Sequence, residues 1–197
     1  MEGTDPGIRR VPLAPVDYDR RWTDLAASGA DVHGEADLVA AWVDASAGAV
    51  LDAGCGTGRV AIELARRGYT TVGIDVDRAL LERARAKAPD LEWHEGDLAR
   101  LPPATAPGPF AAAVLAGNVM IFVAPGTEGD VLANVAARLA PGGLVIAGFQ
   151  LSGRLTRAGY DDAARAAGLD ALERFATWDQ DPFVDGGDYV VAIDSKR

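Results

Sequence analysis

The stretch Val50-Leu51-Asp52-Ala53-Gly54-Cys55-Gly56-Thr57-Gly58-Arg59 leaves this chain few folds to choose from. An apolar run ends in an acid, a glycine-rich turn follows, and a helical pattern starts at Val60. Strand, tight turn, helix: that order is the entrance of a βα unit that binds a nucleotide-like ligand. Glycines are needed because the backbone takes positive φ and the ligand comes close to it. The dinucleotide fingerprint requires a further glycine three residues after Gly56, where this chain has Arg59. A phosphate loop requires Gly-Lys-Ser/Thr, which does not follow. Asp52, directly under the turn, repels a pyrophosphate and suits a ligand that carries positive charge.

The rest of the chain alternates strand and helix patterns, which implies a parallel sheet. Strands are predicted at Ala49 to Ala53, Thr71 to Asp75, Leu91 to His94, Phe110 to Leu115, Leu144 to Phe149, Leu172 to Trp178 and Tyr189 to Asp194. Helices are predicted at Gly58 to Arg67, closed by Gly68, at Arg78 to Lys87, stopped by Pro89, at Gly129 to Leu139 and at Asp161 to Ala167. Glu92 and His94 share one side of their strand, read as outer surface. Before the first strand, Met1 to Pro15 is rich in Gly and Pro and predicts a loosely packed arm. A short helix is expected over Tyr18 to Leu25. A second, over Gly34 to Ala45, carries Leu38, Val39, Trp42 and Val43 as its apolar stripe.

At 197 residues and 49% hydrophobic content the chain reads as one domain, with an arm and cap helices over 1–46 and the core over 47–197. The longest apolar run, Phe110 to Ala124, is interrupted by Gly117 and Asn118 and is too short for a bilayer. The single cysteine, Cys55, excludes an internal disulfide and fits a reducing cytoplasm. In the glycine turn it reads as a small packing residue rather than a nucleophile. The net charge of −10 argues against a nucleic-acid substrate, since a binder of phosphates carries a basic patch. It argues equally against an acidic membrane surface. A small molecule is the expected partner, and no metal site is expected.

Asp52-Ala53-Gly54-Cys55-Gly56-Thr57-Gly58 resembles the first motif of the class I S-adenosylmethionine-dependent methyltransferases, an acid followed by G-x-G-x-G. Gly73-Ile74-Asp75-Val76-Asp77 resembles the second, Glu95-Gly96-Asp97-Leu98 the third, and Leu139-Ala140-Pro141-Gly142-Gly143-Leu144 the turn before the fifth strand. The likeness runs from Ala49 to Phe149 and more weakly through the tail. It implies an α/β doubly wound, Rossmann-like sheet of seven strands in the order 3-2-1-4-5-7-6, strand 7 antiparallel, with helices on both faces.

The resemblance also assigns roles. The cofactor it implies is S-adenosylmethionine, leaving as S-adenosylhomocysteine. Asp52, Ala53 and the backbone of Gly54, Gly56 and Gly58 hold its amino-acid end. Asp75 takes the ribose hydroxyls, while Val76 packs on adenine. Asp97 accepts from the adenine amino group, and Leu98 packs against the ring. Gly117 and Asn118 follow the fourth strand, at the edge where ligands of such sheets lie, and reach the methionine part. The chain lacks the Asn/Asp-Pro-Pro-Tyr-like element common there in methyltransferases of amine groups, which disfavours nucleic-acid or protein-amide methylation. Tyr18 and Trp22 are candidates to cover the cofactor. Phe122 and Gln150 are candidates for the acceptor, and His33 is the candidate base. An NAD-dependent oxidoreductase and a non-catalytic S-adenosylmethionine-binding protein remain as alternatives. The accepting atom and the oligomeric state are left open.

Overall fold

Phe110 to Leu115 is apolar at every residue, and a strand of that kind must be covered on both faces, as the centre of this sheet is. The computed structural model describes residues 32–197, with Asp24 and Ala27 before them. His33–Arg197 forms one compact unit. The helix expected over Tyr18 to Leu25, with Tyr18 and Trp22, lies outside the described residues apart from Asp24. The elements in chain order are α1 (Gly34–Trp42), β1 (Ala49–Ala53), α2 (Arg59–Arg66), β2 (Thr71–Asp75), α3 (Arg78–Lys87) and β3 (Glu92–Glu95). A 3-10 turn (Leu98–Arg100) follows, then β4 (Phe110–Leu115), α4 (Val119–Phe122), α5 (Glu128–Ala137), β5 (Leu139–Gln150), α6 (Arg157–Ala166), β6 (Leu169–Phe175) and β7 (Tyr189–Lys196).

The strands lie in the order β3-β2-β1-β4-β5-β7-β6, as the resemblance implied. The first five pair in parallel, and β7 runs antiparallel between β5 and β6. Alternate residues of each strand feed opposite faces. On one face Val50, Ala112, Val114 and Ile146 meet Leu38 and Val39 of α1 and Val60 and Leu64 of α2. On the other, Leu51, Ala113, Leu115 and Val145 meet Val131, Leu132 and Val135 of α5 and Tyr160 of α6. Trp93 of β3 packs with Leu81 and Ala84 of α3 and with Cys55. Its ring lies flat on β2: a Cβ at Gly73 would stand 2.3 Å from Trp93 Cε3.

Local chemistry sets the helix ends. Asp77 caps α3 by accepting from the N–H groups of Ala79 and Leu80. Gly68, at φ 95°, closes α2, and Tyr69 N–H returns to Leu64 O. The Tyr69 hydroxyl then donates to Val43 O at 2.7 Å, joining the ends of α1 and α2.

Several expected boundaries move, each for a physical reason. α6 starts at Arg157 rather than Asp161, because the Thr156 side chain caps it by accepting from Gly159 N–H at 3.1 Å. α1 stops at Trp42, and Val43 is already extended. β5 begins at Leu139, five residues before Leu144. Pro141-Gly142-Gly143 is carried as an irregularity between the pairs Phe110–Leu139 and Ala112–Leu144. β6 spans Leu169–Phe175 rather than Leu172 to Trp178.

β6 starts at Leu169 because it pairs from there with Lys196 at the far end of β7, and it ends at Phe175, after which Ala176 N–H turns back to Asp181 O. A buried ionic cluster joins the two strands. Arg174 lies against β7, where its Nη2 donates to Asp194 Oδ1 at 2.6 Å and to Asp161 Oδ1 at 2.7 Å. The Tyr160 hydroxyl donates to Asp194 Oδ2 at 2.9 Å. Asp194 is fully buried, so its charge depends on these partners. Arg174→Ala is expected to destabilise the fold by about 3–5 kcal/mol, because it strands a buried carboxylate. Replacing Arg174 and Asp194 together by Met and Leu is expected to recover most of that loss. Urea unfolding of the three proteins checks both statements.

Candidate functional site

The carboxyl ends of β1, β2, β3, β4 and β5 place most of the sequence-selected residues along one edge of the sheet. The glycine turn is the tightest part. Gly54, Gly56 and Gly58 take φ of 85°, 55° and 83°, values that favour glycine. The N–H groups of Gly54 and Cys55 both donate to Ile74 O, at 2.8 and 2.9 Å. Crowding adds to the conformational demand at Gly54, where a Cβ would stand 2.4 Å from Val119 Cγ2. At Gly56 no described atom lies within 4 Å of that position, which leaves room for a ligand to reach the backbone.

Asp52 sits beneath the turn, buried, and its Oδ2 accepts from Ala61 N–H at 3.0 Å in the first turn of α2. Burial pushes its carboxyl up to about 7, against the opposing pull of the Ala61 N–H and of Arg59. Arg59 closes on α1: its guanidinium donates bidentately to Glu35, Nη1 to Oε2 at 2.8 Å and Nη2 to Oε1. Both partners are largely buried. The pair fastens α1 to the helix that starts at the glycine turn.

Asp75 ends β2. Its Oδ2 accepts from Gly56 N–H at 2.7 Å and its Oδ1 from Asp77 N–H at 2.8 Å. Burial raises its pKa, and these two N–H groups oppose the rise. A carboxylate has about four lone-pair sites, so each oxygen retains capacity for a ligand hydroxyl. Val76, next in the chain, is 69% exposed. Asp97 is exposed, and its Oδ1 holds the 3-10 turn by accepting from Ala99 N–H at 2.9 Å. Leu98 beside it is buried.

Beyond β4, Gly117 and Asn118 both take positive φ, 65° and 70°. Asn118 ties its turn to β5: its N–H donates to Gly148 O at 3.3 Å, and its Oδ1 accepts from Gln150 N–H at 2.7 Å. The side-chain carbonyl thus holds backbone. Phe122, on α4, is 68% exposed. Arg154 pins that helix, donating to Met120 O and Val123 O and pairing with Glu128. Gln150 is exposed at the end of β5. His33 precedes α1, with Nδ1 3.9 Å from Glu63 Oε2 in α2.

Cys55 is buried, and burial pushes its thiol up, with Asp52 and Asp75 adding to the effect. It is a packing residue and not a thiolate nucleophile. His94 Nε2 lies 2.5 Å from Glu92 Oε1 on the outer side of β3. The sequence reading passed over the Glu35–Arg59 pair, noting Arg59 only as a missing glycine. It also passed over Trp178 and Tyr189, whose Nε1–H···O contact measures 3.1 Å. No local pattern marks either pair, since each joins residues far apart in the chain. The one available signal was Tyr189 at the head of the last predicted strand.

Comparison with known proteins agrees with this geometry. A family model described as a methyltransferase domain matches residues 50–143. The crystal structure of a TehB-like SAM-dependent methyltransferase from Corynebacterium glutamicum superimposes with a TM-score of 0.85 at 34% identity, covering 95% of this chain and 100% of that one. Magnesium-protoporphyrin O-methyltransferase of Rhodobacter capsulatus is 30% identical over 159 residues, 74% of this chain and 64% of that protein. Trans-aconitate 2-methyltransferase of Rhizobium meliloti is 42% identical over 113 residues, 54% of this chain and 40% of that protein. The chain thus spans less than two thirds of the length of these two curated relatives.

Asp52 gives the edge a measurable pH signature. In the fold its carboxyl keeps a proton up to about pH 7, whereas its ordinary value is 3.8. Between those values the folded state binds more protons than the unfolded state, so this group's contribution to stability falls as pH rises. Asp52→Asn keeps an oxygen for Ala61 N–H and removes the titration. The variant is expected to melt above the parent at pH 8, with the gap closing towards pH 5, at about 2–4 °C for each kcal/mol in a chain of this size. Thermal melts across that pH range check it.

Proposed function

The chain belongs to the S-adenosylmethionine-dependent methyltransferases, and from that premise we propose that it passes the cofactor's methyl group to a small-molecule acceptor by in-line displacement. The observation that carries the reading is Asp75, whose two oxygens are aimed by Gly56 and Asp77 N–H groups beside a glycine turn left open at Gly56. Two hydroxyls of a ribose fit the carboxylate's remaining lone pairs. Asp75 and Asp97, joined by Asp52 once it ionises, give the edge a negative field that suits a cationic ligand.

When bound, S-adenosylmethionine supplies a methyl group on a positively charged sulfur. The chain's own residues bind, orient and exclude water. In this reading Asp52 and the backbone from Gly54 to Gly58 hold the amino-acid end, with Ala53 beneath. Asp75 takes the ribose, Asp97 accepts from the adenine amino group, and Val76 and Leu98 pack against the ring. The Gly117–Asn118 turn, fastened to β5, sets the floor between cofactor and acceptor. Phe122 and Gln150 face the acceptor. Alignment is the main demand of an in-line transfer. Where an acceptor must shed a proton, His33 is the base we assign, with Glu63 beside it to stabilise the imidazolium.

Acceptor size and charge are part of the proposal. The 179–188 stretch, also at the carboxyl edge, carries Asp179, Asp181, Asp185 and Asp188 and no Lys or Arg. That polarity disfavours phosphate-rich acceptors and supports a neutral or amine-bearing small molecule. The relatives named for magnesium-protoporphyrin and trans-aconitate support small acceptors generally. Among the described residues no helix is long and apolar enough to cross a membrane. A cytoplasmic setting, read from the lone cysteine, belongs to the same proposal.

Calorimetric titration with S-adenosylmethionine, S-adenosylhomocysteine and NAD tests the cofactor, and labelled-methyl transfer to a panel of small acceptors tests the activity. Micromolar binding of the first two without the third is expected. Tight binding with no transfer to any acceptor would favour a non-catalytic binder. Asp75→Ala is expected to weaken S-adenosylmethionine by roughly 1–3 kcal/mol, the cost of leaving buried polar partners unpaired. Unchanged affinity in the same titration would remove Asp75 from the site.

A further inference from the structure

The cofactor assignment leaves unused an aromatic pair that β7 brings to the same edge. Tyr189 opens β7 opposite Gln150 in the antiparallel register. Its hydroxyl oxygen accepts Trp178 Nε1–H at 3.1 Å. Both side chains press on the backbone of β5. A Cβ on Gly148 would stand 2.2 Å from Trp178 Cζ2 and 2.7 Å from the Tyr189 hydroxyl. Gly148 is also where the Asn118 turn is fastened. On the other side Trp178 meets the start of α1, where a Cβ on Gly34 would lie 3.3 Å from Trp178 Cβ. The next residue, Glu35, is locked to Arg59, directly after Gly58.

These contacts close a ring around the crevice, from the glycine turn through Val119 and Asn118 to β5, across Tyr189 and Trp178 to α1, and back through Glu35 and Arg59. The acids here are Glu35, paired with Arg59, and beneath the turn Asp75 and Asp52, the last carrying a proton up to about pH 7. The guanidinium of Arg59 is engaged by both oxygens of Glu35. Yet the methionyl end of the cofactor brings a carboxylate to this place. It needs a hydrogen-bond donor. Tyr189 meets that need. Its oxygen takes the indole N–H, so its own proton points elsewhere. Burial keeps the hydroxyl protonated, its pKa pushed up to about 12.

We propose that the Tyr189 hydroxyl, oriented by Trp178, donates a hydrogen bond to the carboxylate of the cofactor's methionyl group beside the start of α1. The inference rests on the cofactor reading above. Calorimetric titration with S-adenosylmethionine and with decarboxylated S-adenosylmethionine tests it. Tyr189→Phe is expected to weaken the first about tenfold, the size of a hydrogen bond to a charged group, and the second less than twofold. Equal losses for both ligands, or no loss, overturn it. Trp178→Phe keeps the hydroxyl and removes the group that aims it, so a smaller loss confined to S-adenosylmethionine is expected; a loss shared by both ligands counts against the assignment. Melting temperatures of both variants are taken alongside, so that misfolding is not read as lost affinity. If the parent protein binds neither ligand, the cofactor reading fails and this inference with it. If the parent binds and the variants match it, only this inference fails.

Discussion

Ile74 O and the Asp75 carboxylate together hold the glycine turn against β2. The carbonyl takes the N–H groups of Gly54 and Cys55, and the carboxylate takes that of Gly56. The N–H groups of three consecutive turn residues are thereby held by the neighbouring strand. The turn therefore inherits the rigidity of a parallel pair buried on both faces. Everything at the carboxyl edge is referenced to it. Val119 packs where a Cβ of Gly54 would be, Ala61 reaches Asp52 from the helix the turn launches, and Arg59 carries α1 with it.

Two carboxylates at this edge are held in a costly state. Burial raises the pKa of both Asp52 and Asp75, so each opposes folding once ionised. A cationic ligand bound beside them would relieve that cost. Stability given up at a site and regained on binding is a common pattern for functional residues.

Sequence reading reached most of this because βα units keep their determinants local. Asp52 and the three glycines are contiguous, Asp75 ends a β-branched run, and Asp77 caps the next helix from two residues away. The strand order came from resemblance, since nothing local in Tyr189 to Asp194 says that the strand lies inside β6. What escaped were features set by distant pairs. Arg174 finds Asp194 twenty residues on, and β6 takes its bounds from its pairing with β7. Glu35 finds Arg59 across two elements, and Trp178 finds Tyr189 across a loop. The start of α6 was an exception: Thr156 is a local cap that the expected start at Asp161 left out. The start of β5 was hidden by Pro141-Gly142-Gly143, which reads as a turn and instead rides in the strand as an irregularity.

The position of β7 has a consequence for the order in which the fold can be made. Among the described residues β6 touches the sheet only through β7, although it is synthesised first. While the chain grows, β5 presents an open edge of unpaired N–H and C=O groups and β6 has no partner in the sheet. Neither is relieved until Tyr189–Lys196 slots between them and completes two ladders at once. Nascent chains halted before β7 are thus the species most exposed to strand-edge association. Arg174, already placed to receive Asp194, gives the incoming strand a charged register mark that a slipped pairing would bury unmatched.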